Sequence, residues 1–223
     1  VKTRVIAHGQ HVVRIDQELR RDISNQIQSE LLKRLENYIS KIDGIILEDY
    51  NKGVLCRGLI GDVISLANKF NKIITVDPKF NNFFEYKNVT VFKPNRKETE
   101  EALGMKLNDD HSIEIAGNKL LEEIRANSII ITRGEFGISV FSKKENTHHI
   151  PTTARKVADV SGAGDTVIST LTIAIATGSS LLEASIIANT AGGIVCGEVG
   201  IAPINKEELF QTLLEDLNHI PKG

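Results

Sequence analysis

The chain has 223 residues, of which 41% are hydrophobic and 25% are charged, and its net charge is −2. At about 150 residues per domain this length predicts one large domain that needs no disulfides to fold. The near-neutral charge argues against a nucleic-acid-coating surface, and no apolar run approaches the roughly 18 residues of a membrane span. Cys56 and Cys196 lie far apart and outside any CxxC pattern, which is typical of small buried hydrophobes. The composition therefore predicts a soluble cytoplasmic protein with neither nucleic-acid nor membrane partners.

Hydrophobic periodicity predicts alternating strands and helices along most of the chain. Two short strands, 5–7 and 12–15, flank a turn over 8–11, and helical spacing predicts a helix over 25–41. The short apolar run 44–47 is typical of a buried parallel strand. In chain order there follow a helix over 59–70, strands over 73–76 and 89–92, a helix beginning at 98, a helix over 113–126, a strand over 129–132, an antiparallel extension over 138–141 and 149–150, and helices over 164–176, 182–196 and 206–217. This alternation predicts an α/β layer fold with a mostly parallel sheet.

Polar residues directly follow four of the predicted strands. They are Asp49, Asp77 and the segments 93–95 and 132–134. Ligands of parallel sheets bind beyond the carboxyl ends of the strands, so these residues are candidates for one site. Strand ends also meet water whatever their function, and each cluster taken singly is equally well explained in that way.

The most informative segment is the glycine-rich turn at 161–165, which precedes a helix of small and apolar residues. Gly162 and Gly164 let a ligand approach the backbone, and the free N–H groups and dipole of a helix start attract anions. A carboxylate beside such a site repels phosphate, but Asp165 fits a base that removes a proton from an attacking hydroxyl. Capping of the helix by Asp165 remains the alternative. The chain has no GxxxxGK[ST] motif, and its turn departs from GxGxxG at the last glycine.

Three segments together resemble a known family. Residues 159–166 (DVSGAGDT) resemble the DTxGAGD signature of the ribokinase-like (PfkB) carbohydrate kinases, with Val160 where Thr is usual. Residues 95–98 (NRKE) match the family's NxxE motif, and residues 132–137 (TRGEFG) match its TxGxxG stretch, in the family's order. The resemblance implies a three-layer α/β/α ribokinase-like domain over 1–223, with a mostly parallel sheet and a small β lid whose end is 3–15.

Within the family, the segments 48–53 (EDYNKG) and 76–79 (VDPK) are most similar to D-glycero-D-manno-heptose-7-phosphate kinases. Those enzymes use ATP to phosphorylate the anomeric hydroxyl of heptose 7-phosphate on the route to ADP-heptose for lipopolysaccharide. The implied cofactors are ATP and Mg²⁺, with a monovalent cation in some members. A sugar phosphate and ATP are the implied small-molecule partners, and a homodimer is compatible with the family.

The resemblance also assigns roles to residues. Asp165 would be the catalytic base, and Gly162, Ala163 and Gly164 the anion hole. Glu98 would organise Mg²⁺ through water. The nucleotide would contact Asn95, Thr132, Gly134, Gly137 and Asn189. Asp49, Lys52 and Lys79 are the candidates for the sugar phosphate, because a phosphate needs cationic partners. Both lysines are equally well explained as solvated surface residues.

The start of the chain departs from the family. Family members open with a strand that carries an early Asp and with a Gly-Gly signature, and neither precedes Val1. We therefore expect part of the sugar pocket to be missing. Two alternatives to a heptose-phosphate kinase remain open, namely another ribokinase-like sugar or nucleoside kinase and a non-catalytic ATP-binding remnant.

Overall fold

The computed structural model describes residues 2–7, 10–18, 20–152, 159–198, 200 and 202–218. Near the start, β1 (Lys2–Ala7) and β2 (Gln10–Asp16) form an antiparallel hairpin with a bulge between Val5 and Ile6. The turn predicted over 8–11 is too long, because Gln10 and His11 pair with Ala7 and Ile6. Residues 8 and 9 lie outside the described residues.

The main sheet has six strands in the order of the chain. They are β3 (Gly44–Glu48), β4 (Ile73–Asp77), β5 (Val91–Phe92), β6 (Ser128–Thr132), β7 (Ile138–Ser142) and β8 (His148–Ile150). The first four run parallel, and β7 and β8 are antiparallel, which confirms the predicted mostly parallel sheet and its extension. Strand β5 is shorter than predicted, because the hydroxyl of Thr90 takes the hydrogen bond from the Ile74 N–H, at 2.9 Å, in place of a backbone carbonyl.

The helices are α1 (Asn25–Tyr38), α2 (Arg57–Lys69), α3 (Arg96–Leu103), α4 (Asp110–Ile124), α5 (Ala163–Ala176), α6 (Leu181–Cys196) and α7 (Lys206–Asn218). Helices α3 and α4 begin earlier than predicted, because Asn95 and Asp109 cap them in reciprocal capping boxes. Helix α4 ends early at Arg125, whose φ of 56° is left-handed. Among the described helices, none has the length and apolarity needed to cross a membrane.

Residues on β6 show how the helices cover both faces of the sheet. Ile129 and Ile131 belong to the core that includes α2 and α4, whereas Ile130 belongs to the core that includes α5 and α6. Successive side chains of a strand point to opposite faces, so the sheet lies between two helical layers. The predicted three-layer α/β/α fold is therefore confirmed. Thr75 on β4 and Thr172 on α5 share a buried hydrogen bond of 2.7 Å, which ties α5 to the sheet.

Candidate active site

Two adjoining cavities open at the carboxyl ends of the parallel strands. The first is the polar cavity, of about 510 Å³, which is lined mostly by charged and polar residues and lies among the ends of β3, β4, β5 and β6 and the start of α5. The second, of about 460 Å³, is largely apolar and lies between the β6–β7 loop and helices α5 and α6. Thr132, Gly134, Val160 and Gly164 line both cavities and join them. Each volume suits a small-molecule ligand.

The glycine turn shapes the wall between the two cavities. Gly162 is the N-cap of α5, and its φ of 84° is left-handed, which glycine adopts without strain. Within the part of the chain that the structure describes, no side chain caps this helix. Among the described residues, no acceptor meets the backbone N–H groups of Gly164 and Asp165, whereas the N–H of Ala163 donates to the Val160 carbonyl at 3.3 Å. The first turn of α5 therefore offers free donors and a positive dipole end to an anion.

Asp165 is the third residue of α5, and its exposed side chain borders the polar cavity. Its Oδ2 accepts a hydrogen bond from the Tyr50 hydroxyl at 3.0 Å. The N-cap of α5 is Gly162, and Asp165 lies inside the helix. The structure therefore does not show the alternative in which Asp165 caps the helix. Its carboxylate instead lies where a bound hydroxyl can reach it.

Glu48 adds a second carboxylate beside Asp165. The Tyr50 hydroxyl also lies 3.1 Å from Glu48 Oε1, so it bridges the two acids. Burial, and then the neighbouring carboxylate of Asp165, raise the pKa of Glu48 to about 7. Burial and the same two carboxylates raise the pKa of Tyr50 above its usual range, so the phenol keeps its proton. Near neutral pH Tyr50 therefore stays a hydroxyl donor between the two acids.

Asp77 is buried at the end of β4 and is held by two lysines. Lys93 donates to its Oδ2 at 2.9 Å and Lys79 to its Oδ1 at 3.0 Å. Lys93 is only 2% exposed, so this ion pair lies within the wall of the polar cavity. Burial opposes the charge of Lys79, but the carboxylates of Asp77 and Glu98 outweigh it and raise the pKa of Lys79. Lys79 is therefore cationic at the edge of the polar cavity.

Three of these acids form the group that could ligate a metal ion in the described part of the chain. Oxygen atoms of Glu48, Asp77 and Asp165 all lie within 4.8 Å of one another. Carboxylate oxygens are ligands that Mg²⁺ prefers, and it commonly binds through one or two of them plus substrate phosphates. The donor set therefore fits the predicted ion.

Glu98, predicted to organise Mg²⁺, is engaged twice. Its Oε2 accepts from the backbone N–H of Asn95 at 2.8 Å, and its Oε1 accepts from Lys79 at 2.6 Å. The Glu98 backbone N–H in turn donates to Asn95 Oδ1 at 2.8 Å, and Asn95 itself borders the polar cavity. In this structure the NxxE motif builds the start of α3 and holds Lys79 toward the cavity.

Asp49, predicted to bind the sugar, serves the loop after β3. It is only 3% exposed, and its oxygens accept from the Tyr86 hydroxyl at 2.7 Å, the Asn51 backbone N–H at 2.7 Å and the Asn82 amide at 3.2 Å. Although it borders the polar cavity, both of its oxygens are engaged by the protein. The buried Asp49 side chain therefore anchors the loop after β3.

Lys52, the other cation predicted to bind phosphate, lies outside the lining of the polar cavity. It borders a neighbouring cavity of about 370 Å³ beside β3 and forms an ion pair of 2.6 Å with Glu18. Lys79 does border the polar cavity, where it is shared between Asp77 and Glu98. Of the two predicted phosphate ligands, the structure therefore brings only Lys79 to the cavity that Asp165 borders.

Four of the five residues predicted to contact the nucleotide gather around the apolar cavity, whereas Asn95 borders the polar one. Thr132, Gly134, Gly137 and Asn189 all line the apolar cavity. Asn189 is buried and donates to the Pro151 carbonyl at 2.8 Å. Gly137 has a φ of 77°, and a Cβ there would lie 2.0 Å from the Ile150 carbonyl oxygen, so the loop requires glycine.

The sequence did not single out Glu48 or Tyr50 as site residues, and it placed Lys93 only among the polar residues that follow predicted strands. All three lie at or just after the ends of parallel strands, where the polar clusters were noted, and this position was the available signal. Nothing in the local pattern distinguishes them from solvated strand ends. Their contacts with Asp165 and Asp77 join segments that lie far apart in the sequence.

An α/β sheet with a glycine turn, a free helix start and a carboxylate at one edge is the arrangement of a protein that binds anionic ligands such as phosphates. The model of the family described as pfkB family carbohydrate kinase matches residues 18–208. The chain therefore belongs to the pfkB family of carbohydrate kinases, as the motifs predicted.

Relatives and solved structures agree with this family. The bifunctional protein HldE of Syntrophotalea carbinolica is 39% identical over 212 residues, which are 95% of this chain and 43% of that protein. HldE of Desulfatibacillum aliphaticivorans is 41% identical over 208 residues, or 93% of this chain and 42% of that protein. The chain thus spans less than half the length of these curated relatives.

Two solved structures support the fold. Phosphofructokinase-2 of Escherichia coli, in complex with potassium, superposes with a TM-score of 0.78 at 18% identity, covering 96% of this chain and 69% of that chain. Ribokinase of Arabidopsis thaliana, complexed with ribose and ATP, gives a TM-score of 0.71 at 18% identity, covering 87% of this chain and 61% of that chain.

Proposed function

We propose that this chain transfers the γ-phosphoryl group of ATP to a hydroxyl of a sugar phosphate, with heptose 7-phosphate as the substrate and heptose 1,7-bisphosphate as the product. The observation that carries the proposal is that the carboxylate of Asp165 and the free N–H groups of the same helix turn border one cavity. Family membership and the relatives named HldE support it.

In an in-line phosphoryl transfer, each of these groups has a separate role. Asp165 accepts the proton of the acceptor hydroxyl while its oxygen attacks phosphorus. The amides at the start of α5 donate to the oxygens of the transferring group. Thr132, Gly134, Gly137 and Asn189 hold the nucleotide in the apolar cavity, with Asn95 at its phosphate end. Mg²⁺ bound with the nucleotide supplies further neutralisation of phosphate charge.

A specific observation favours a second candidate acceptor. Lys52 is paired with Glu18, and Lys79 is shared by two carboxylates, so both predicted phosphate ligands are already neutralised. An acceptor without a phosphate at this end needs no exchange of these ion pairs. Another ribokinase-like sugar or nucleoside kinase activity is therefore the alternative.

The further partners remain proposals. ATP and a divalent cation follow from the family, and a monovalent cation is suggested by the potassium complex of the E. coli phosphofructokinase-2. That enzyme has also been solved in a tetrameric inhibited form. A homodimer of this chain stays a prediction.

The test measures ADP release and sugar phosphorylation with ATP across a panel of heptose 7-phosphate, unphosphorylated heptose, ribose and fructose 6-phosphate. We expect turnover on heptose 7-phosphate. Lys79→Ala should then raise the KM for heptose 7-phosphate, because Lys79 is the predicted phosphate ligand that borders the polar cavity. Turnover on ribose or fructose 6-phosphate without heptose 7-phosphate would favour the alternative. ATP binding without transfer to any acceptor would favour a non-catalytic protein.

A substitution tests the base directly. Asp165→Asn should lower kcat by at least about 10³-fold while the Kd for ATP stays within about twofold, because the amide cannot accept the proton but keeps the shape. Asp62→Asn, at an exposed position of α2, is the matched control. Equal losses of ATP affinity and rate would show that Asp165 has a structural role instead.

A further inference from the structure

Tyr50 lies between the two acids at the end of β3 and the start of α5. Its hydroxyl is 3.0 Å from Asp165 Oδ2 and 3.1 Å from Glu48 Oε1. We propose that Tyr50 is a positioning residue, whose hydroxyl orients the carboxylate of Asp165 for the acceptor and is itself held by Glu48. This inference rests on the proposed function and adds residues that the family motifs do not assign.

The exposure of Asp165 explains why a positioning residue is needed. Its side chain is exposed on the first turn of a helix, where several rotamers are open to an aspartate. A hydrogen bond to Oδ2 selects one rotamer and leaves Oδ1 for the acceptor hydroxyl. A displacement of about 1 Å at a reacting group can lower a rate by about 10²-fold, so this selection matters.

The segment that carries Tyr50 is itself rigidly anchored. The backbone N–H of Asp49 donates to the Asp77 carbonyl at 3.0 Å, which continues the pairing of β3 with β4. The buried Asp49 side chain accepts from Tyr86 on one side and from the Asn51 backbone on the other. Tyr50 therefore projects from a loop that the sheet and a buried carboxylate hold on both sides.

Glu48 completes the arrangement from the same strand end. Glu48 and Tyr50 are two residues apart, so their side chains lie on the same side of the extended backbone, and Asp49 lies on the other. The burial pattern follows this alternation, because Asp49 is buried whereas Tyr50 is 50% exposed. One side of this strand end therefore carries Asp49, which anchors the loop, and the other side carries Tyr50, whose hydroxyl contacts Asp165.

The variant that tests this is Tyr50→Phe, which removes the hydroxyl and keeps the ring. We expect kcat to fall by about 10- to 100-fold, while the KM values for ATP and acceptor stay within about twofold. Tyr38→Phe is the control, because Tyr38 is a comparably exposed tyrosine on α1. An unchanged kcat, or a rise in KM alone, would overturn the proposal.

Crystal structures of the wild type and of Tyr50→Phe provide the second readout. The carboxylate of Asp165 should occupy one rotamer in the wild type and change or lose that position in the variant, with the fold unchanged. An identical Asp165 position in both structures would also overturn the proposal. If the wild type phosphorylates no acceptor, the proposed function fails, and the comparison of Asp165 positions alone decides the role of Tyr50.

Discussion

Replacing Gly164 by alanine separates the stability of the glycine turn from its function. Gly164 is the second residue of α5 and has no positive φ, so alanine suits its backbone. An added Cβ would lie 3.5 Å from Asp77 Oδ2 and 3.8 Å from Lys93 Nζ, which is ordinary contact. Alanine stabilises a helix by up to about 1 kcal/mol relative to glycine. We therefore expect the free energy of unfolding to stay constant or rise by that amount.

The same methyl group should impair phosphoryl transfer. It would lie beside Asp77 and Lys93 within the polar cavity, where a phosphoryl oxygen bonded to the Gly164 N–H must fit. A displacement of about 1 Å corresponds to a loss of about 10²-fold in kcat/KM, or about 2.7 kcal/mol of transition-state stabilisation.

The assay pairs urea unfolding with ADP release at saturating ATP. Gly61→Ala is the matched control, because Gly61 lies at an exposed position in the middle of α2, and an added Cβ there meets no atom of the described residues within 4 Å. It should stabilise the protein without altering the rate. Full activity of Gly164→Ala would refute the reasoning that the transferring group binds against this turn.

Two further predictions concern charged groups. Glu48 has a folded-state pKa of about 7, above its ordinary value of 4.5, so the folded state binds a proton more tightly than the unfolded chain. The stability that protonated Glu48 contributes is present below the unfolded pKa and is lost as the pH rises through 7. Glu48→Gln should therefore stabilise the protein more at about pH 8 than at about pH 5 in urea titrations. Equal effects at both pH values would contradict the shift in pKa. Lys93→Met should lower the free energy of unfolding by about 3 kcal/mol in guanidinium titrations, because Asp77 would lose its buried partner; a loss below about 1 kcal/mol would show that Lys79 alone suffices.

Local patterns were sufficient for the elements and for the motif-bearing residues. Periodicity located the helices and strands to within a few residues, and most errors lay at ends set by caps, as at Asn95 and Asp109. The glycine turn was legible because a left-handed φ at Gly162 and a helix start follow from residues adjacent in the chain. These features depend on sterics and hydrogen bonding between residues that are close in the sequence, so local sequence patterns predict them.

The tertiary structure decided which side chains meet. Lys52 and Lys79 both follow parallel strands, yet only Lys79 reaches the cavity of Asp165, because Glu18 holds Lys52 elsewhere. Tyr50 meets Asp165 across 115 positions of chain, and Asp49 turns inward to Tyr86 instead of toward a ligand. Sequence alone determined the family, the layers and the place where the anion site begins. Which charged side chains pair with each other depended on how strand ends from distant parts of the chain pack together. That packing is set by the whole core and not by any local pattern.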